Sequence, residues 1–224
     1  MKPVFLNNFG YLESDIPDSL FRKLKIECGK VNSYRDHRTD ASIQQMQEQY
    51  FWQEMQSGLT GNGVAKHYYV KDNVDELNSF IMQMFREYDR SFNLVETLKH
   101  TSHSVPFVSV DPWINIQYKH EFIPTHTHDG VVTFVIWIKI PYDIEAELSV
   151  GDKASTFEFT YSSVVGSQLT QRIPVSKEYE GKIVMFPSGL SHTVYPFYSS
   201  DDSRISISGN VSYDTGKLSY WAGE

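Results

Sequence analysis

The stretch PTHTHDGVVTFVIWIKI, residues 124–140, decides how the fold is read. It couples a His-x-His pair, His126 and His128, to the longest apolar run in the chain, Val131 to Ile140. That run falls far short of the roughly 20 residues of a membrane span, and its β-branched and aromatic side chains suit a buried strand. Working outward, the hydrophobic period is two from about Pro106 onward. The expected strands are Phe107 to Tyr118, Val131 to Ile140, Ser155 to Tyr161, Ser163 to Ile173, Gly181 to Phe186, His192 to Pro196 and Arg204 to Val211. No helical pattern separates them, which disfavours a doubly wound parallel sheet and points to a sandwich or barrel.

The first half reads differently. Ser14 or Asp15 ahead of Pro17 marks a helix start, Leu20, Phe21 and Leu24 share one face, and Gly29 is the expected stop. Asn73 with Glu76 resembles a capping box, and Leu77, Phe80, Ile81, Met84 and Tyr88 form the apolar stripe of a second helix. Arg38 to Met55 is Gln-rich and weakly periodic, and Gly58 to Gly63 reads as a loop. The expectation is therefore an all-β core with N-terminal helices (α+β). Residues 1–105 form a mainly helical extension packed on a core of residues 106–224.

Composition narrows the function classes. With 20 Lys and Arg against 28 Asp and Glu, the net charge of −8 disfavours a binder of nucleic-acid backbones, which needs an excess or a cluster of cations. The single cysteine, Cys28, excludes an intramolecular disulfide framework and Cys-based zinc sites. With no signal-peptide pattern in Met1 to Gly10, a cytoplasmic protein with no membrane contact is expected. The acidic stretches Asp143 to Glu147 and Glu178 to Glu180 read as solvated loops.

Residues i and i+2 of an extended segment point to one face, so His126 and His128 can converge on one metal while Asp129 faces away. His192, in Phe186-Pro187-Ser188-Gly189-Leu190-Ser191-His192, would be a third ligand from a distant strand. Three protein ligands leave positions open, as a catalytic metal requires. Alone, the pair also suits two strand histidines with ordinary hydrogen bonds. The other five, His37, His67, His100, His103 and His120, show no such spacing. Twelve residues after His192, Arg204 and Ser206 share a strand face, a pairing that suits a dicarboxylate or, more plainly, a surface salt bridge. Alternation puts Asn115 and Gln117 on one face of their strand, lining a barrel or facing solvent, and Thr133, Val135 and Trp137 on one face of another.

Together, Trp113-Ile114-Asn115-Ile116-Gln117, His126-Thr127-His128, Phe134 to Ile138, Gly181 to Ser188 and Arg204 to Ser208 resemble the 2-oxoglutarate and Fe(II)-dependent oxygenases, particularly a group common in tailed bacteriophages. The resemblance spans roughly residues 106 to 213. It implies a double-stranded β-helix (a cupin-like jelly roll) with His126, His128 and His192 as Fe(II) ligands. Arg204 with Ser206 would be the anchor for 2-oxoglutarate, and O2 the second cosubstrate. The wider superfamily has an acid where His128 stands, and a third neutral imidazole leaves the iron one more net positive charge. The bacteriophage-type group carries His-x-His. Lys139 is a second candidate anchor. The implied activity is oxidative decarboxylation of 2-oxoglutarate coupled to hydroxylation of a substrate the sequence does not name. The alternatives are a non-catalytic jelly-roll binding module and a three-histidine cupin dioxygenase without cosubstrate. Exposed edge strands of such sheets can pair two copies into a homodimer.

Overall fold

The computed structural model describes residues 10–36, 52–56, 64–98 and 106–214. In chain order the elements are β1 (Leu12–Asp15), α1 (Asp18–Asp36), β2 (Trp52–Gln56), β3 (Val64–Tyr69), α2 (Val74–Phe92), α3 (Leu94–Thr97), β4 (Phe107–Gln117), β5 (Ile123–His126) and β6 (Val132–Lys139). They continue with α4 (Ile144–Val150), β7 (Phe157–Ser162), β8 (Gln168–Ile173), a 3₁₀ turn (Lys177–Tyr179), β9 (Lys182–Pro187), β10 (Ser191–Val194) and β11 (Arg204–Tyr213). Seven strands form one antiparallel sheet in the order β1-β9-β6-β11-β4-β3-β2, and four form a second in the order β5-β10-β7-β8. The two sheets face each other as a double-stranded β-helix.

Side-chain alternation sorts the large sheet into two layers. Ile114 and Ile116 of β4, Phe134, Ile136 and Ile138 of β6, Ile183 and Met185 of β9, and Ile205 and Ile207 of β11 pack against α1 and α2. The opposite faces of β6 and β9 send Val135, Trp137, Val184 and Phe186 between the sheets, where they meet Phe157, Phe159 and Ile173. On β4 and β11 that inward face carries Asn115, Gln117, Arg204, Ser206 and Ser208 instead. Dry packing therefore fills one side of the barrel and polar groups line the other. Gly209 lies directly opposite Phe134 across β11 and β6. A Cβ at Gly209 would stand 2.6 Å from the Phe134 Cζ, so the ring lies over bare backbone.

Several expectations need correction. The first half supplies three strands of the large sheet besides its helices: β1 on one edge, β2 and β3 on the other. Ser14 and Asp15 belong to β1, the helix begins at Asp18, and it runs through Gly29 to Asp36 with its Leu20, Leu24, Cys28 and Val31 face buried. That buried stripe outweighs the roughly 1 kcal/mol that a helical glycine costs. Asn73 does not cap α2 with its side chain; its Nδ2 donates to Glu27, whose buried carboxylate also takes the backbone N–H of Lys71 and Asp72. The expected strand from Ser163 starts at Gln168, because Ser163 to Ser167 form the β7–β8 turn. Asp143 to Glu147 is no solvated loop. Asp143 caps α4 through the N–H groups of Glu145 and Ala146, and Glu147 is fully buried. Glu180 likewise accepts from the Ile140 backbone. Gly58 to Gly63 lies outside the described residues, as does most of Arg38 to Met55. Among the described residues no helix is long and apolar enough to cross a membrane.

Candidate active site

His126 ends β5 and His192 stands directly opposite it on β10, their ring centroids 4.2 Å apart. His128 follows β5, its N–H donating to the Ser188 carbonyl, and its ring lies 5.0 Å from His126 and 5.1 Å from His192. One ligand atom from each lies within 4.8 Å of the others. Metal–nitrogen bonds of about 2.1 Å at about 90–110° hold ligand atoms roughly 3.0–3.4 Å apart, so the rings close on one ion by moving inward by up to about 1–2 Å.

The donor chemistry fits a metal. A carbonyl only accepts, so Nδ1 of His126 must donate to the Pro124 carbonyl at 2.7 Å and Nδ1 of His192 to the Leu190 carbonyl at 2.9 Å. Each bond places the proton on Nδ1 and leaves Nε2 with its lone pair. Burial pushes the His192 imidazole down to about 3, helped by the neighbouring charge of His126, so it stays neutral. Phe157 stacks on it at 5.2 Å and Phe186 meets it edge-on at 4.9 Å, fixing the ring plane. Asp129 is exposed, as alternation requires.

Arg204, at the start of β11, is buried, with 3% of its surface exposed. Nε and Nη2 donate to Gln117 Oε1, Nη1 to Tyr142 OH and the Ser155 carbonyl, and Nη2 to the Tyr195 carbonyl. Every acceptor is neutral, and the guanidinium also lies over the rings of Phe197 and Tyr142. A buried cation held only by neutral groups can serve as a receptor for an anion, because its desolvation is not offset by a counter-charge among its hydrogen-bond partners. Its two backbone acceptors are fixed, whereas Gln117 and Tyr142 are side chains that can turn or share.

The remaining expected residues fall in different places. Gln117 bonds Arg204 and donates to the Glu121 carbonyl. Asn115 accepts from Trp113 Nε1 at 3.1 Å and donates to Ser208 at 3.0 Å, with Ser206 Oγ at 3.5 Å. Lys139 is half-buried and paired with Asp202. Sequence reasoning missed Tyr142 and the carbonyls of Ser155 and Tyr195 as partners of Arg204; in the structure all three lie in connecting segments. The Trp113 indole, on the same strand face as Asn115, lies 5.8 Å from the His128 ring, centroid to centroid.

Residues 111–210 match the family described as "Putative 2OG-Fe(II) oxygenase". Among solved structures the chain is similar to a prolyl-4-hydroxylase from Pseudomonas putida, with a TM-score of 0.55 at 13% identity over 92% of this chain and 93% of that one. It is also similar to a prolyl hydroxylase from Trichoplax adhaerens, solved with a fragment of the hypoxia inducible factor oxygen degradation domain, with a TM-score of 0.50 at 10% identity over 96% and 88%. At these identities the likeness is one of fold. No curated protein matches the chain.

Proposed function

We propose, from the match of residues 111–210 to the 2OG-Fe(II) oxygenase family, that His126, His128 and His192 hold Fe(II) in this protein and that Arg204 takes the far carboxylate of 2-oxoglutarate. The observation that carries the reading is the pairing of a three-histidine cluster with a buried guanidinium that lacks any acidic partner among the described residues. Bound Fe(II) and 2-oxoglutarate supply the chemistry, in which oxidative decarboxylation by O2 is coupled to oxidation of a substrate C–H bond.

The chain's own residues position and shield. The carbonyls of Pro124 and Leu190 hold the Nδ1 protons of His126 and His192, so in the neutral ring of each it is Nε2 that carries the lone pair for a metal. Phe157, Phe159 and Phe186 keep water from the buried face of His192. Arg204 offers a rigid fork of donors whose charge is already desolvated, which strengthens its attraction for a carboxylate. Ser206, on the same face of β11, adds a hydroxyl, while Asn115 and Gln117 orient the groups around it. Trp113, locked by Asn115, forms the wall beside His128 on which a substrate would lie.

The finer assignments rest on the same reading. His-x-His supports membership of the bacteriophage-type group, and a lone buried Cys28 favours a reducing, cytoplasmic setting, that of a host cell for a phage protein. The acidic balance disfavours nucleic acid as substrate. β8 ends the small sheet with exposed, uncharged Gln168, Leu169, Thr170 and Gln171, the edge on which a second copy would pair. Within the first half, α1 and α2 cover the outer face of the large sheet.

The test is 2-oxoglutarate turnover by iron-reconstituted protein, read as succinate. Slow succinate formation without added substrate, lost in His192→Phe, is the expected result. A folded protein that retains no iron and forms no succinate would instead be the non-catalytic jelly-roll module.

A further inference from the structure

Glu147 is a second buried charge close to the Arg204 pocket, and nothing in the mechanism above uses it. It projects from α4, is wholly inaccessible, and has no cationic partner among its hydrogen bonds. Its carboxylate accepts instead from the backbone N–H of Tyr198 at 2.9 Å, the N–H of Ser199 at 2.7 Å and the Ser199 hydroxyl at 2.5 Å. A carboxylate buried for packing alone would be replaced by an apolar side chain at no loss, since desolvating it costs several kcal/mol. Its three donors all belong to one turn, residues 198–199.

That turn ends the segment that builds one wall of the guanidinium pocket. The Tyr195 carbonyl accepts from Arg204 Nη2, and the fully buried Phe197 ring packs under the guanidinium at 5.5 Å and against Tyr142 at 5.0 Å. Tyr142 in turn bonds Arg204 Nη1. The helix that carries Glu147 begins just after Tyr142, so one carboxylate ties both side walls of the pocket together. We infer that Glu147 is a positioning residue for the 2-oxoglutarate anchor, acting through the 195–199 segment to hold Arg204, Tyr142 and Phe197 in the arrangement that receives the far carboxylate. This rests on the assignment of Arg204 as that anchor.

The experiment compares two ligands on the full-length, Fe(II)-loaded protein under anaerobic conditions: 2-oxoglutarate, and 2-oxobutanoate, which keeps the oxo acid and lacks the far carboxylate. The readout is the ratio of their dissociation constants, which a general loss of stability leaves unchanged. Glu147→Gln turns one acceptor oxygen into a donor facing N–H groups. It is expected to weaken 2-oxoglutarate about tenfold while leaving 2-oxobutanoate and Fe(II) affinity at the wild-type values. An unchanged ratio in folded Glu147→Gln overturns the inference. If that variant does not fold, Ser199→Ala removes only the hydroxyl donor, and a ratio equal to wild type there overturns it equally. Arg204→Lys in the same assay separates the two claims. A ratio unmoved by Arg204→Lys refutes the anchor itself, whereas a ratio that moves for Arg204 and not for Glu147 refutes only the positioning role.

Discussion

Acidifying the metal-free protein should cost it stability through His192 in a way that can be worked out in advance. The imidazole titrates near 3 in the fold, against an ordinary value of 6.5. Below 6.5 the unfolded chain takes up a proton that the folded chain refuses. The stability contributed by the neutral ring is thus complete above 6.5 and drains away as the pH falls toward 3. The slope for one proton is about 1.4 kcal/mol per pH unit. Between 6.5 and roughly 5, above the range where carboxylates titrate, the loss is about 2 kcal/mol, or about 4–8 °C in Tm for a chain of this size. The assay is thermal unfolding of apo protein across that range, wild type against His192→Phe. The variant keeps an aromatic ring beside Phe157 and Phe186 and removes the titrating nitrogen. It should show a flatter pH profile whatever its absolute Tm. Equal slopes in the two proteins would refute the claim that His192 is held neutral by burial.

Three other perturbations have defined outcomes. Gly209→Ala forces a Cβ to 2.6 Å from the Phe134 ring, and overpacking of this kind costs about 1–3 kcal/mol, so calorimetry should show a lower Tm that Phe134→Leu partly restores. Arg204→Lys loses the fork geometry and should weaken 2-oxoglutarate about 10- to 100-fold, measured by calorimetric titration of the anaerobic iron protein. Lys139→Ala should leave that affinity unchanged, because Lys139 is engaged by Asp202 at the barrel rim; a comparable loss there would move the anchor to Lys139.

β4 and β11 were legible because a half-buried strand writes its pattern in a period of two, and β6 and β9 because a strand buried on both faces is a short continuous apolar run. Alternation in β4 and β11 also put Asn115 with Gln117, and Arg204 with Ser206, on shared faces, without saying whether those faces turn inward. β1 was hidden by its length: Leu12 to Asp15 offers only four residues before Pro17. β2 and β3, WQEMQ and VAKHYY, lack a clean alternation and take their structure from pairing, β3 with β4 and β2 with β3, rather than from local preference. α4 had a readable signal in Asp143 as its cap, masked by the surrounding acids. The closure of the Arg204 pocket was not legible, since Tyr142, Ser155 and Tyr195 lie in connecting segments and join Arg204 across sequence separations of 62, 49 and 9 residues. Burial of Glu147 likewise depends on donors 51 and 52 residues away.

The most direct test of the central claim is an anaerobic titration of apo protein with Fe(II) and then 2-oxoglutarate, followed by visible absorption. The structure predicts that one equivalent of each gives the weak charge-transfer band of an iron-chelated 2-oxo acid, and that His192→Phe abolishes it. A folded wild-type protein that takes up neither, with no band at saturating concentrations of both, would contradict the account.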